Sequence, residues 1–205
     1  MSLPKLLVAT RNRGKGEEYR RLLRRLPFQL TTLTDEAIDL EVPETGATME
    51  ENVTLKATAY ARDSGLLTLA DDSGLEVKAL GGEPGVRSAR YAGENATDRQ
   101  RVDYLLGRMA GVPWEKRGAR FRCVIGVATP QGRVELVQGQ CRGIMAFEAR
   151  GEHGFGYDPV FYIPRLGRTM SELSLEEKNK VSHRARAARK ARAVLRRLYQ
   201  ELYSK

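Results

Sequence analysis

Short apolar runs of strand length alternate along this chain with amphipathic stretches of helical period. Residues 5–9, Lys-Leu-Leu-Val-Ala, read as a buried strand that stops at a turn-like Arg-Asn-Arg-Gly segment. Tyr19, Leu22, Leu23 and Leu26 then recur on one helical face with Arg and Glu between them, so a helix is expected up to Pro27. Residues 28–33 suggest a second strand and residues 41–46 a loop. Thr48 with Glu51 three positions on fits a capping box, opening a helix that lasts to about Ser64 and stops at Gly65. Residues 66–70 form a strand that runs into Asp71 and Asp72, after which Ser73 and Gly74 are expected to turn.

The second half continues the mixture. Residues 79–95 are rich in glycine, contain Pro84 and read as a long loop, a common place for function. Thr97 and Gln100 form another capping-box pair, opening a helix to about Met109. Ala119, Phe121, Cys123, Ile125 and Val127 alternate with other residues, as in a strand with one buried face. Residues 133–141 should pair with it across the Pro130-Gln131-Gly132 turn. Ser174 and Glu177 cap a short helix, and a final helix buries Ala191, Val194, Leu195, Leu198 and Leu202. Strands mixed with helices indicate the α/β class. There is no repeat, low-complexity tract or interdomain linker, and 205 residues fit one domain, 1–205, with room for two lobes around a cleft.

Composition narrows the function classes. A hydrophobic content of 41% is ordinary for a soluble globular chain. No apolar run approaches the ~18 residues of a membrane span, and Met1-Ser2-Leu3-Pro4-Lys5 lacks a signal-peptide layout. Cys123 and Cys141 match no zinc spacing, and Cys123 reads as a reduced core residue. A cytoplasmic protein is expected. The formal charge is +9, yet residues 178–205 hold ten Lys or Arg against Glu201 alone, leaving 25 basic and 25 acidic residues elsewhere. The excess belongs to one helix. A uniformly basic domain would point to nucleic acid; a single basic helix has more explanations.

The chemistry concentrates in a few segments. Thr10, Arg11, Asn12, Arg13, Gly14 and Lys15 join a strand to a helix, where backbone N–H groups and a lysine suit a phosphate. The same segment is also readable as a plain strand-to-helix turn, and it is not a Walker A loop. Asp71 and Asp72 place two carboxylates at a strand end, suited to a hard cation such as Mg²⁺. Successive strand residues point to opposite faces, so one of the two should face the ligand. Glu44 adds a carboxylate with no structural duty, and Lys56 is either a solvated lysine or one that faces the ligand. Glu51 is accounted for by its cap. Gly154, Phe155, Gly156, Tyr157, Asp158 and Pro159 bring together a ring, a tight turn and a carboxylate, and such a ring can stack on a base. Lys178, His183 and Arg184 supply donors near the start of the last helix.

Taken in order, these segments resemble the inosine triphosphate pyrophosphatase family of Ham1/RdgB type. The matching residues are Thr10, Asn12 and Lys15; Glu44-Thr45-Gly46 with Glu51, Asn52 and Lys56; residues 70–75; Gly81-Gly82 with Pro84-Gly85-Val86 and Ser88-Ala89-Arg90; residues 155–161; Glu177-Lys178; and Ser182-His183-Arg184. The resemblance implies an elongated mixed sheet with flanking helices, two lobes around a central substrate cleft, and a homodimer. It implies hydrolysis of deaminated purine nucleoside triphosphates (ITP, dITP and XTP) to the monophosphate and pyrophosphate with Mg²⁺. By the same resemblance Asp72 is general base and metal ligand, and Glu44 the other metal ligand. Residues 10–15, Lys56 and Ser73 meet the phosphates, while Phe155, Gly156, Tyr157, Asp158, Lys178, His183 and Arg184 meet the nucleotide, including its base. No specific nucleic acid or membrane partner is implied. Two other readings stay open: a nucleic-acid binder using the basic helix, which leaves the acidic segments unexplained, and a module that binds nucleotides without turnover.

Overall fold

The structure, a computed structural model, describes residues 3–203. Its strands are β1 (Lys5–Val8), β2 (Gln29–Thr32), β3 (Leu67–Val77), β4 (Gly118–Ala128), β5 (Val134–Met145), β6 (Phe161–Ile163) and β7 (Arg168–Thr169). They form a seven-stranded sheet in the order β2-β1-β3-β4-β5-β6-β7. β1 runs parallel to β2 and to β3, while β6 runs antiparallel to β5 and to β7, so the sheet is mixed. The α-helices among the described residues are α1 (Arg13–Leu22), α2 (Met49–Ser64), α3 (Asp98–Arg108), α4 (Leu175–Val181) and α5 (His183–Tyr203). This is the α/β class that the alternating pattern predicts.

The chain divides into two compact units. One holds the residues up to Asp72, Cys123–Gly139 and those from Ala185 onward. In it β1 sends Leu6 and Val8 to one face, against Tyr19 of α1 and Ala187, Ala191 and Leu195 of α5. Leu7 and Ala9 go to the other face, against Ala57, Tyr60 and Ala61 of α2. Burial on both faces is why β1 is a continuous apolar run rather than an alternating one. The cap of α2 forms as its sequence predicts: Thr48 Oγ1 accepts from the Glu51 N–H at 3.1 Å, and Glu51 Oε2 accepts from the Thr48 N–H at 3.3 Å. Such a cap contributes about 1 kcal/mol. Gly65 ends the helix in the left-handed region, at φ 66°.

The other unit holds Ser73–Arg122 and Gln140–Arg184. Leu75 and Val77 of β3, Val102 and Leu105 of α3, Phe121 of β4 and Phe161 of β6 share its core. Both bonds of the Thr97/Gln100 capping box form at the start of α3.

Four expectations need correction. Asp71, Asp72, Ser73 and Gly74 do not turn; they lie inside β3. Local turn propensity is overridden because Leu75 and Val77, just beyond, are fully buried in the second unit's core. α1 stops at Leu22 rather than at Pro27, with Arg25 at φ 67° breaking the helical path, although Leu26 is still buried. Residues 79–95 are not a plain loop, for short 3₁₀ turns form at Lys78–Leu80 and Gly85–Arg90, and Ser88 Oγ accepts the Leu75 N–H at 2.9 Å. On α5, Leu202 is exposed, and the buried stripe runs instead through Ala187, Ala188, Ala191, Leu195 and Leu198.

Candidate active site

In the first unit the connection from β1 to α1 is drawn tight by side chains. Asn12 is the N-cap of α1; its Oδ1 accepts the Lys15 N–H at 2.9 Å, and its own N–H donates to Thr10 Oγ1 at 3.2 Å. First-turn N–H groups of a helix have no intrahelical acceptor and carry partial positive charge, so this end of α1 suits an anion. Gly14 and Lys15 are half-buried there, and Arg13 is exposed. Arg11 has another duty: its guanidinium donates to the carbonyls of Ile38 and Leu40 at 3.2 and 3.1 Å.

Asp71 and Asp72, adjacent in β3, leave the sheet on opposite faces, as a period of two requires. Asp72 goes toward α2, where the Asn52 amide donates to its Oδ2 at 3.3 Å. Asn52 is fully buried and its Oδ1 takes the Gly46 N–H at 2.7 Å, so one amide ties the 44–46 loop to the carboxylate. Gly46 has no room for a side chain: a Cβ there would sit 2.6 Å from Glu51 Cβ. Lys56 donates to Glu44 Oε1 at 2.5 Å and to the Asp71 carbonyl at 2.9 Å. Burial pushes the Asp72 carboxyl above its ordinary range, and Glu44 and Asp71 add to that push while Lys56 and Lys15 oppose it. Burial works against the Lys56 ammonium, but Asp72, Glu44 and Asp71 outweigh it and hold Lys56 above its ordinary value.

Glu44 and Asp72 are hard oxygen donors. No three His, Cys, Asp or Glu side chains gather into a metal cage among the described residues. Two carboxylates fit Mg²⁺, which ordinarily completes its shell with water and substrate phosphates rather than with an all-protein cage.

The second unit builds a different group. Asp158 Oδ2 accepts the Phe155 N–H at 3.0 Å and the Lys178 ammonium at 2.5 Å, and both charged side chains are buried. Gly154 has φ 81°, and a Cβ on it would run into the Asp158 carboxylate, so glycine is required at that turn. The Gly156 N–H donates to Asp98 Oδ2 at 2.7 Å. Tyr157 turns into the core, donating its hydroxyl to the Ser88 carbonyl at 2.9 Å; burial raises its pKa. Phe155 is half-buried, with the Lys178 ammonium 4.4 Å and the Arg184 guanidinium carbon 5.5 Å from its ring centre. His183 stacks on Phe121 at 4.6 Å with the rings 16° apart. Arg184 is buried and donates to Ser73 Oγ at 2.8 Å, and Ser73 is joined by a peptide bond to Asp72. A half-buried ring beside a lysine and an arginine, each with several donors, can receive a planar base that carries acceptor atoms.

Two contributors escaped the sequence reading of individual roles: Asn52 and Asp98. Asn52 directly follows the capping-box Glu51, and Asp98 is the first residue of a capped helix. Those positions were the only local signal they carried.

A model of the Ham1 family matches residues 6–194. The dITP/XTP pyrophosphatase of Desulforamulus reducens is 48% identical over 195 residues, 95% of this chain and 97% of the relative. That of Geobacter sulfurreducens is 49% identical over 185 residues, covering 90% and 93%. Among solved structures, the Ham1 protein of Staphylococcus aureus superposes with a TM-score of 0.83 at 40% identity, covering 93% of this chain and 97% of the other. A HAM1 protein from Coxiella burnetii gives 0.85 at 40% identity, covering 94% and 98%. The chain belongs to the Ham1 family.

Proposed function

We propose that this chain hydrolyses deaminated purine nucleoside triphosphates, ITP, dITP and XTP, to the monophosphate and pyrophosphate. The observation that carries the reading is the cluster of Asp72, Glu44, Lys56 and Lys15: two carboxylates for a hard cation, in company with two ammonium groups for phosphate. Identity of 48% and 49% over nearly the full length to relatives named dITP/XTP pyrophosphatase supports the substrate class.

In this reading the first turn of α1, Lys15, Lys56 and Ser73 hold the triphosphate. Glu44 and Asp72 would hold Mg²⁺, which would supply charge neutralisation of the phosphates and polarisation of a phosphoryl oxygen. Asp72 orients a water toward the α-phosphorus and accepts its proton, a contribution of roughly 10²–10⁴-fold. Since a carboxylate beside a dication is a weak base, orientation is the larger part of its work. The two lysines stabilise charge on the departing pyrophosphate. Phe155 stacks on the purine, and Lys178, His183 and Arg184 direct donors at the C6 oxygen. Asp158 shapes the Phe155 turn and steadies Lys178. Arg11 steadies the 38–40 backbone and so supports the phosphate loop indirectly, while Tyr157 anchors its turn in the core.

The reading includes a homodimer, which sedimentation would register as twice the 22.9 kDa chain mass. It also includes a cytoplasmic location, where nucleotide pools are deaminated. No helix among the described residues is long and apolar enough to cross a membrane. The test is product analysis by chromatography with Mg²⁺ and ITP, dITP, XTP, GTP or ATP. The expected products are IMP and pyrophosphate from ITP, with ATP a poor substrate. IDP with orthophosphate overturns the reaction, and nucleotide binding without product makes the chain a binding module.

A further inference from the structure

Asp71 has no part in the reaction as proposed, yet it is as deeply buried as any group in the cluster. Its side chain is 1% exposed, and its Oδ2 lies 3.1 Å from the Lys15 ammonium. The sequence explains why the two meet. Lys15 and Tyr19 are four residues apart on α1 and share a helix face. Asp71 shares its strand face with Leu67 and Leu69, which pack in the same core cluster as Tyr19. Cys123 of β4 bridges the pair, its Sγ 3.9 Å from the Tyr19 hydroxyl and 3.8 Å from Asp71 Oδ2. The Lys15 backbone is fixed as well, since its N–H is bound by the Asn12 cap. The Asp71 carbonyl, meanwhile, accepts the Lys56 ammonium at 2.9 Å.

We propose that Asp71 is a positioning residue that aims Lys15, and steadies Lys56, for the phosphates, while Asp72 on the opposite face serves metal and water. The inference rests on the function proposed above. A lysine side chain is long and freely rotating, so an ammonium held in advance meets the developing charge without reorganising. A buried carboxylate in turn requires a countercharge. The two aspartates are therefore not a redundant metal pair.

The test is a double-mutant cycle of Asp71→Asn and Lys15→Gln, read as kcat and KM for ITP and, by calorimetry, as affinity for pyrophosphate and for Mg²⁺. Asp71→Asn should lower kcat/KM by about 10- to 100-fold. Added to Lys15→Gln, it should cost no more than about 3-fold further, because its route of action is already gone. Asp71→Glu should recover part of the loss, and Mg²⁺ affinity should not change. Thermal unfolding gives a readout free of catalysis. Lys15→Gln strips Asp71 of its ammonium and should lower Tm, and adding Asp71→Asn should raise it again.

Multiplying losses, an Asp71→Asn enzyme as active as the parent, or weakened Mg²⁺ binding in Asp71→Asn would each overturn the inference. The last of these would make Asp71 a metal ligand. If the parent protein turns over no ITP, the function reading fails on its own, and the same cycle in pyrophosphate affinity still decides the role of Asp71.

Discussion

Single residues that look alike in sequence do different work in the folded chain. Asp72→Asn preserves shape while removing charge and basicity, so kcat should fall at least ~10²-fold with thermal unfolding unchanged. Unfolding that shifts along with activity would make Asp72 a structural residue. Asn52 holds Asp72 and the Gly46 N–H with its two ends, so Asn52→Ala removes a donor to the buried Asp72 carboxylate and the acceptor of the Gly46 N–H. It should destabilise the fold by about 1–3 kcal/mol in a denaturant titration and lower kcat as well. Arg184→Ala should harm ITP far more than ATP, shrinking the ratio of their kcat/KM, because an acceptor at C6 loses its donor while the adenine amino group loses nothing. Ser73→Ala is the control, since Arg184 also bonds Ser73. Equal losses for both nucleotides, matched by Ser73→Ala, would remove Arg184 from base reading. The opposite facing of Asp71 and Asp72 was legible in the sequence, because it needs only the period of a strand. Asn52 was not, because a buried amide that links a loop to a strand leaves no periodic trace.

At the scale of elements, caps were the most legible feature. The boxes of α2, α3 and α4 all form, since each needs only residues three apart. The failures were of range. β3 extends through Asp-Ser-Gly because distant partners bury Leu75 and Val77, and α1 ends early, at Leu22, ahead of a left-handed Arg25 that no local rule foretells. The cap of α4 bears on function because the next residue is Lys178. Bonds from Arg168 and from the N–H and hydroxyl of Ser174 hold the Glu177 carboxyl down at about 2. A carboxyl lowered in the folded state stabilises above its ordinary pKa of 4.5, and that contribution is lost as pH falls toward about 2. Glu177→Gln keeps the box geometry without the charge. It should flatten the loss of stability between pH 4.5 and about 2 and leave the slope near neutrality alone. An unchanged acid limb in denaturant titrations would mean the charge does not matter.

For the molecule as a whole, the fold class was readable from mixed strand and helix periods, but the division into two units was not. No linker marks it, because the chain passes between units within β3, β4, β5 and α5 rather than through a loop. The basic excess also changes meaning in the folded chain. Arg192 of α5 donates to the carbonyls of Leu22 and Arg24, both at 2.8 Å, at and just past the end of α1. Arg197 pairs with Glu135, and Arg133 reaches Glu201 at 2.7 Å. Arg192 and Arg197 of the helix are thus tied to the protein itself. Duplex DNA or RNA should show no submicromolar binding at ~150 mM salt. Tight binding at that salt would revive the nucleic-acid reading.

The central claim is that water attacks the α-phosphorus of a bound triphosphate. Hydrolysis of ITP in ¹⁸O-labelled water, followed by mass spectrometry of both products, tests it most directly. Attack at the α-phosphorus puts a single labelled oxygen in IMP and none in pyrophosphate. Label in pyrophosphate would place the attack at the β-phosphorus, and label in orthophosphate at the γ-phosphorus; either result would contradict it.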